Sequence, residues 1–103
     1  MMLGRTVFAA AFVALAVPAR AATIEVTIDK LTFAPAEVAA KVGDTVVWTN
    51  KDILAHTTTA TSGAWNAAIA PKQTGKLVVK QAGTFDYFCK YHPNMKGKLT
   101  VTP

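Results

Sequence analysis

The chain of 103 residues has one cysteine, one serine and two histidines, and beyond Arg20 it has no arginine. A lone cysteine excludes an intrachain disulfide. Ser62 and two histidines leave little from which to assemble a nucleophile, a base and an orienting acid. Dispersed lysines without arginine make no dense basic stripe to neutralise a phosphate backbone, so nucleic-acid binding is a poor fit. The apolar run from Thr6 to Val17 is twelve residues, well short of the ~20 that span a bilayer as a helix. This excludes stable membrane insertion by that segment. No internal repeat, low-complexity tract or linker is present.

The same run has a different reading. Arg5 precedes it, and Pro18 and the small-residue triplet Ala19-Arg20-Ala21 follow it. That order is the layout of a secretory signal peptide over residues 1–21, cleaved after Ala21. Residues 22–103 then form one small domain of 82 residues, in which nine lysines against six carboxylates leave a net charge of +3. Lys90, Lys96 and Lys98 lie close together and bias which partner docks there. Export into an oxidising compartment sharpens the question of Cys89, which is an apolar filler, a reactive thiol or a metal ligand.

Short runs of period two dominate the domain. Thr23 to Asp29 alternates apolar and polar residues as a half-buried strand does. Lys30 to Pro35 ends it, and Ala36 to Val42 resumes an extended run. Gly43-Asp44 reads as a turn into Thr45 to Asn50, which is dense in β-branched and aromatic residues. A loop precedes the strand His56 to Thr59. The stretch Ala60 to Thr74 lacks clear periodicity and reads as a loop, with a short helical turn around Asn66 to Ala70. Lys76 to Lys80 is a strand and Gln81 to Thr84 a turn. The strand Phe85 to Cys89 turns Phe85, Tyr87 and Cys89 to one face, and Leu99 to Thr102 closes the chain with Leu99 and Val101 inward. Six to eight short strands without a long amphipathic helix predict an all-β sandwich or small barrel.

Between the last two strands, the segment Phe88-Cys89-Lys90-Tyr91-His92-Pro93-Asn94-Met95 crowds a thiol, an imidazole and a thioether into the seven residues from Cys89 to Met95. A tight loop from Lys90 to Gly97 can curl them toward one point. The set is soft and lacks carboxylates, which disfavours calcium and magnesium. Zinc gains little from a thioether. Two imidazoles, a thiolate and a weak axial methionine suit one copper ion cycling between Cu(I) and Cu(II). The second imidazole must be His56, since residues 22–103 contain one Cys, one Met and two His. Individually each has a blander reading: His56 and His92 as ordinary hydrogen-bonded residues, Met95 as core packing. Their exhaustion by one coherent site favours metal binding through His56, Cys89, His92 and Met95. A catalytic cysteine built on Cys89 and His92 leaves Met95 unexplained.

These residues resemble the cupredoxins, the small type 1 blue copper proteins. VGDTVVWTN followed by KDILAH resembles their strand leading to the first histidine ligand, and TFDYFCKYHPNMKGKLTV resembles their last two strands and ligand loop. The spacing C-x2-H-x2-M is similar to that of the amicyanins, whereas pseudoazurins and plastocyanins have a longer gap between His and Met. The resemblance implies a Greek-key β-sandwich with copper at one end, held by His56, Cys89 and His92 with Met95 axial. It implies a monomeric periplasmic electron carrier rather than an enzyme, whose donor and acceptor proteins dock transiently at an apolar patch around His92. A copper carrier delivering the ion to an acceptor protein is the alternative. Three features depart from the family pattern. Thr57 stands where an Asn often follows the first histidine, Lys90-Tyr91 stands where amicyanins have Thr-Pro, and the domain is shorter. Asn50 and Asp52 read as turn formers.

Overall fold

The computed structural model describes residues 20–103, and the expected leader over residues 1–21 falls almost entirely outside them. The described residues form nine strands: β1 (Thr23–Asp29), β2 (Thr32–Ala34), β3 (Glu37–Lys41), β4 (Thr45–Asn50), β5 (His56–Ala60), β6 (Asn66–Ile69), β7 (Thr74–Val78), β8 (Gly83–Cys89) and β9 (His92–Thr102). They make two sheets, ordered β2-β1-β4-β7 and β3-β9-β8-β5-β6. The all-β sandwich expected from the sequence is present, with nine strands rather than six to eight because the short β2 and β6 form through pairing with β1 and β5, and no described helix is long and apolar enough to cross a membrane.

Alternation along the strands builds the core between the sheets. Val26 and Ile28 of β1 and Val46 and Trp48 of β4 point inward from the first sheet, while Tyr87, Cys89, Leu99 and Val101 point inward from the second. Tyr87 sits at the centre. Its ring meets Phe33 edge-on at 4.8 Å and Trp48 at 5.6 Å, and its hydroxyl accepts a hydrogen bond from Trp48 Nε1 at 3.3 Å. Burial pushes the Tyr87 hydroxyl above its ordinary pKa, with the Trp48 hydrogen bond pulling the other way. Gly97, paired with Tyr87 across β8 and β9, has to be glycine because a Cβ there would land on the Tyr87 ring.

Four details differ from the sequence expectations, each for a tertiary reason. The stretch expected to hold a helical turn contains β6, which pairs antiparallel with β5. Asn66 Oδ1 accepts the Thr59 hydroxyl at 2.8 Å and Ile69 is buried against Gly75, so pairing and burial outweigh the helical preference of two alanines. The segment Lys30 to Pro35 contains β2, which folds back on β1 through a two-residue turn. Lys30 and Leu31 both have positive φ there, 52° and 59°, at roughly 1 to 3 kcal/mol each for non-glycine residues. The strand expected over Lys76 to Lys80 lies two residues earlier as β7, because β7 takes its register from β4.

The fourth difference concerns the ligand loop, which is shorter than the Lys90 to Gly97 expected. Cys89 pairs with His92 and Phe88 with Lys96, so only Lys90 and Tyr91 form the turn. Pro93, Asn94 and Met95 have no partners on β8 at this irregularity. A proline is tolerated at such a place because the ladder asks it for no N–H. The bulge also lets Met95 turn inward, where it is buried.

Candidate metal centre

Three strand ends position the donors. His56 opens β5, Cys89 ends β8 and His92 opens β9. Because β8 runs beside both β5 and β9, the thiol lies between the two imidazoles. Cys89 Sγ is 3.7 Å from His56 Nδ1 and 3.8 Å from His92 Nδ1, and the three donor atoms all lie within 4.8 Å of one another. An ion bonded at ~2.0 Å to nitrogen and ~2.3 Å to sulfur, with ~120° between the bonds, needs a nitrogen-to-sulfur separation of about 3.7 Å. Both nitrogen-to-sulfur separations thus already match a trigonal site. Met95, three residues after His92, is buried on β9 and lines the same surface groove as His92. Of the four residues singled out from the sequence, His56, Cys89 and His92 converge, and Met95 shares the groove of His92.

Burial separates the two imidazoles. His56 and Cys89 are fully buried, whereas His92 is half-buried and lines an open groove of about 360 Å³ with Leu31, Tyr91, Pro93, Asn94 and Met95. Tyr91, Ile53, Leu54 and Leu31 are exposed large apolar side chains. Tyr91 and Leu31 belong to the groove, and Ile53 and Leu54 to the loop before His56.

Supporting contacts are more specific than the sequence suggested. Thr57, in place of the family's usual Asn, ties the two ligand segments together. Its amide donates to Cys89 Sγ at 3.3 Å and its Oγ1 accepts the Lys90 amide at 2.9 Å. An N–H directed at the sulfur fixes where it sits relative to β5. The Thr57 hydroxyl also meets Thr59 Oγ1 at 3.0 Å, and Thr59 donates to Asn66, so a hydrogen-bonded chain runs from the ligand turn to the edge strand β6. Every fully buried side-chain nitrogen and oxygen among the described residues has a partner.

Asn50 and Asp52, read from the sequence as turn formers, do more than shape a turn. Asn50 is buried, its Oδ1 accepts the Asp52 amide at 2.9 Å, and its Nδ2 donates to Leu54 O at 2.8 Å. This pins the loop before His56. Asp52 Oδ2 lies 2.8 Å from His56 Nε2. A carboxylate only accepts, so Nε2 donates to Asp52, which turns Nδ1 toward Cys89. The Asp52 carboxyl also accepts the amides of Lys30 at 2.8 Å and Leu31 at 3.1 Å. Desolvation pushes its pKa up, but the Leu31, Lys30 and His56 donors together outweigh it and hold the carboxyl below its ordinary 3.8. The available sequence signal was an acidic residue four positions before a ligand histidine; the long-range contact with Lys30 and Leu31 had none.

Known proteins agree with this geometry. Residues 3–101 match the family described as Cupredoxin-like domain. Amicyanin of Paracoccus denitrificans is 36% identical over 84 residues, covering 76% of this chain and 64% of that protein, slightly under two thirds of its length. Amicyanin-alpha of Methylorubrum extorquens is 37% identical over 89 residues, covering 81% of this chain and 75% of the relative. Among solved structures, a Cu(I) form of an amicyanin variant superimposes with a TM-score of 0.68 at 33% identity, covering 77% of this chain and 81% of that one. With its sandwich, its ligand-loop spacing and its relatives in accord, the chain belongs to the cupredoxin-like family.

Proposed function

We propose that the protein is a blue copper electron carrier, in which His56, Cys89, His92 and Met95 hold one copper ion and a single electron is exchanged with a donor and an acceptor protein. The observation that carries this reading is the convergence of two imidazole nitrogens and one thiol sulfur within 4.8 Å at the end of a β-sandwich. The copper, when bound, supplies the Cu(II)/Cu(I) couple. The chain supplies the rest. Fully buried His56 and Cys89 keep water from two of the donors, and the contacts of Asp52 and Thr57 fix their orientation before any metal arrives. His92 is the donor nearest the surface, and the apolar side chains beside it suit brief docking of a redox partner. Lys90, Lys96 and Lys98 bias that partner toward an acidic rim.

The chemistry is transfer rather than turnover of a substrate. Both histidines are engaged in the one site, and Ser62, the single serine, is exposed on a turn. The carrier works as a monomer in the periplasm after cleavage behind Ala21. Support for that position comes from the first anchored atom of the domain: Ala22 N donates to Asp44 Oδ1 at 2.8 Å, while Arg20 and Ala21 are exposed. Relatives named amicyanin and plastocyanin support the electron-carrier reading.

The test is to oxidise the Cu(I) protein with a soluble one-electron oxidant and then to mix it with a metal-free copper-binding acceptor. The proposal expects repeated cycling with copper retained after gel filtration. Loss of the ion to the acceptor faster than oxidation would favour a copper carrier instead.

A further inference from the structure

The Asp52 carboxylate faces two ways. On its inner side it holds Nε2 of the buried ligand His56, and on its outer side it captures the consecutive amides of Lys30 and Leu31. Those two residues form a hairpin turn in which both have positive φ, a conformation that Asn-Gly adopts readily and Lys-Leu does not. The turn therefore depends on an external acceptor, and Asp52 is the one present. Leu31, which the turn holds at 45% exposure, forms a wall of the groove that also contains Tyr91, His92 and Met95. The side chain of Asp52 is itself only 14% exposed and its amide is fixed by Asn50, so it is a firm anchor rather than a mobile surface acid.

We propose that Asp52 is a positioning residue that fastens the Leu31 turn to the metal ligand His56, so that one carboxylate both orients the imidazole and shapes the partner-facing groove beside His92. The proposal rests on the copper electron-carrier reading for its second half only. Three N–H donors converge on two carboxylate oxygens, whereas an asparagine would offer one acceptor oxygen and place N–H donors against the remainder. Because Lys30 donates to Oδ1 and Leu31 to Oδ2, Asp52→Asn deprives at least one turn amide of its acceptor in either orientation of the new side chain. It also removes a negative charge held against a ligand of the metal, which shifts preference from Cu(II) toward Cu(I).

The experiment compares the wild type, Asp52→Asn, and Asp52→Asn in a Lys30→Asn/Leu31→Gly background whose turn forms unaided. Amide hydrogen exchange and the ¹⁵N signals of the His56 ring are read in metal-free protein, and the reduction potential is read after copper loading. For Asp52→Asn, exchange at the Lys30 and Leu31 amides rises at least tenfold while Val46 and Leu99 keep their protection. The potential of that variant rises by a tenfold change in the Cu(II)/Cu(I) preference, ~59 mV for one electron. In the relaxed-turn background the Thr32 amide, which closes the hairpin opposite Asp29, stays protected even though positions 30 and 31 have lost their Asp52 acceptor, and the potential still rises. Unchanged turn amides in Asp52→Asn, or a uniform loss of protection across the core, would overturn the positioning role. So would loss of the turn in the relaxed background. Failure of the wild type to bind copper would remove the functional reading and leave the metal-free exchange result to decide the link between His56 and the turn.

Discussion

Replacing Thr57 by Val keeps the branched shape of the side chain and removes only its hydroxyl. The Lys90 amide then loses its acceptor at 2.9 Å, and Thr59 loses its neighbour at 3.0 Å. An unsatisfied buried donor costs ~1 to 3 kcal/mol, and because Lys90 is exposed and the contact only partly buried, the low end of that range applies. At ~1 kcal/mol, a domain of this size should lose roughly 4 to 8 °C in Tm. The contact of the Thr57 amide with Cys89 Sγ belongs to the backbone and survives the substitution. The assay is thermal unfolding of metal-free protein, since a bound ion stabilises the folded state by mass action and would mask the difference. Thr57→Ser serves as the control because it keeps the hydroxyl and loses only a methyl group. The reasoning predicts that Val is the more harmful substitution. If Ser destabilised as much as Val, or Val left Tm unchanged, the hydroxyl would not be the tie between the ligand segments.

Further expectations follow from other parts of the molecule. Gly97→Ala drives a Cβ into the Tyr87 ring, so the denaturation midpoint should fall by the equivalent of ~1 to 3 kcal/mol or more, and an unchanged midpoint would mean that the sheets do not pack as described. The amides of Lys41 and Ala22 hold the Asp44 carboxyl below its ordinary 3.8. A pKa lowered by folding contributes stability above the unfolded value, and that stability is lost as the pH falls through the folded one. Stability measured from pH 5 downward should accordingly decline less steeply in Asp44→Asn than in the wild type, and parallel profiles would contradict the assignment. If export exposes the Ala22 amine, its charge meets Asp44, so acetylating that amine should lower Tm near neutral pH; equal Tm values would argue against the pairing.

Much of the fold was legible because its signals are local. The alternation in Thr23–Asp29 and the β-branched and aromatic content of Thr45–Asn50 mark strands without any knowledge of partners. The elements that escaped are those whose conformation is decided across the molecule. Asn66–Ile69 contains two alanines with no β preference and becomes a strand through its pairing with β5. Lys30-Leu31 has no residue suited to positive φ and turns because Asp52, more than twenty positions later, accepts both of its amides. The donor set behaves differently. Its chemistry was visible in residue identity alone, since the domain has few soft side chains and their spacing leaves little choice. Their supporting contacts were not, because Asp52 and Thr57 are ordinary loop and strand residues until folding places His56 and Cys89 beside them.

The central claim is that Cys89 and two imidazoles from separate strands close on one soft ion. Adding Cu(II) stepwise to metal-free protein of residues 22–103 and recording its visible spectrum tests this most directly. The account predicts an intense thiolate-to-copper absorption that saturates at one ion per chain and is absent from Cys89→Ser. No visible band in the wild type, or a band that persists without the thiol, would contradict it.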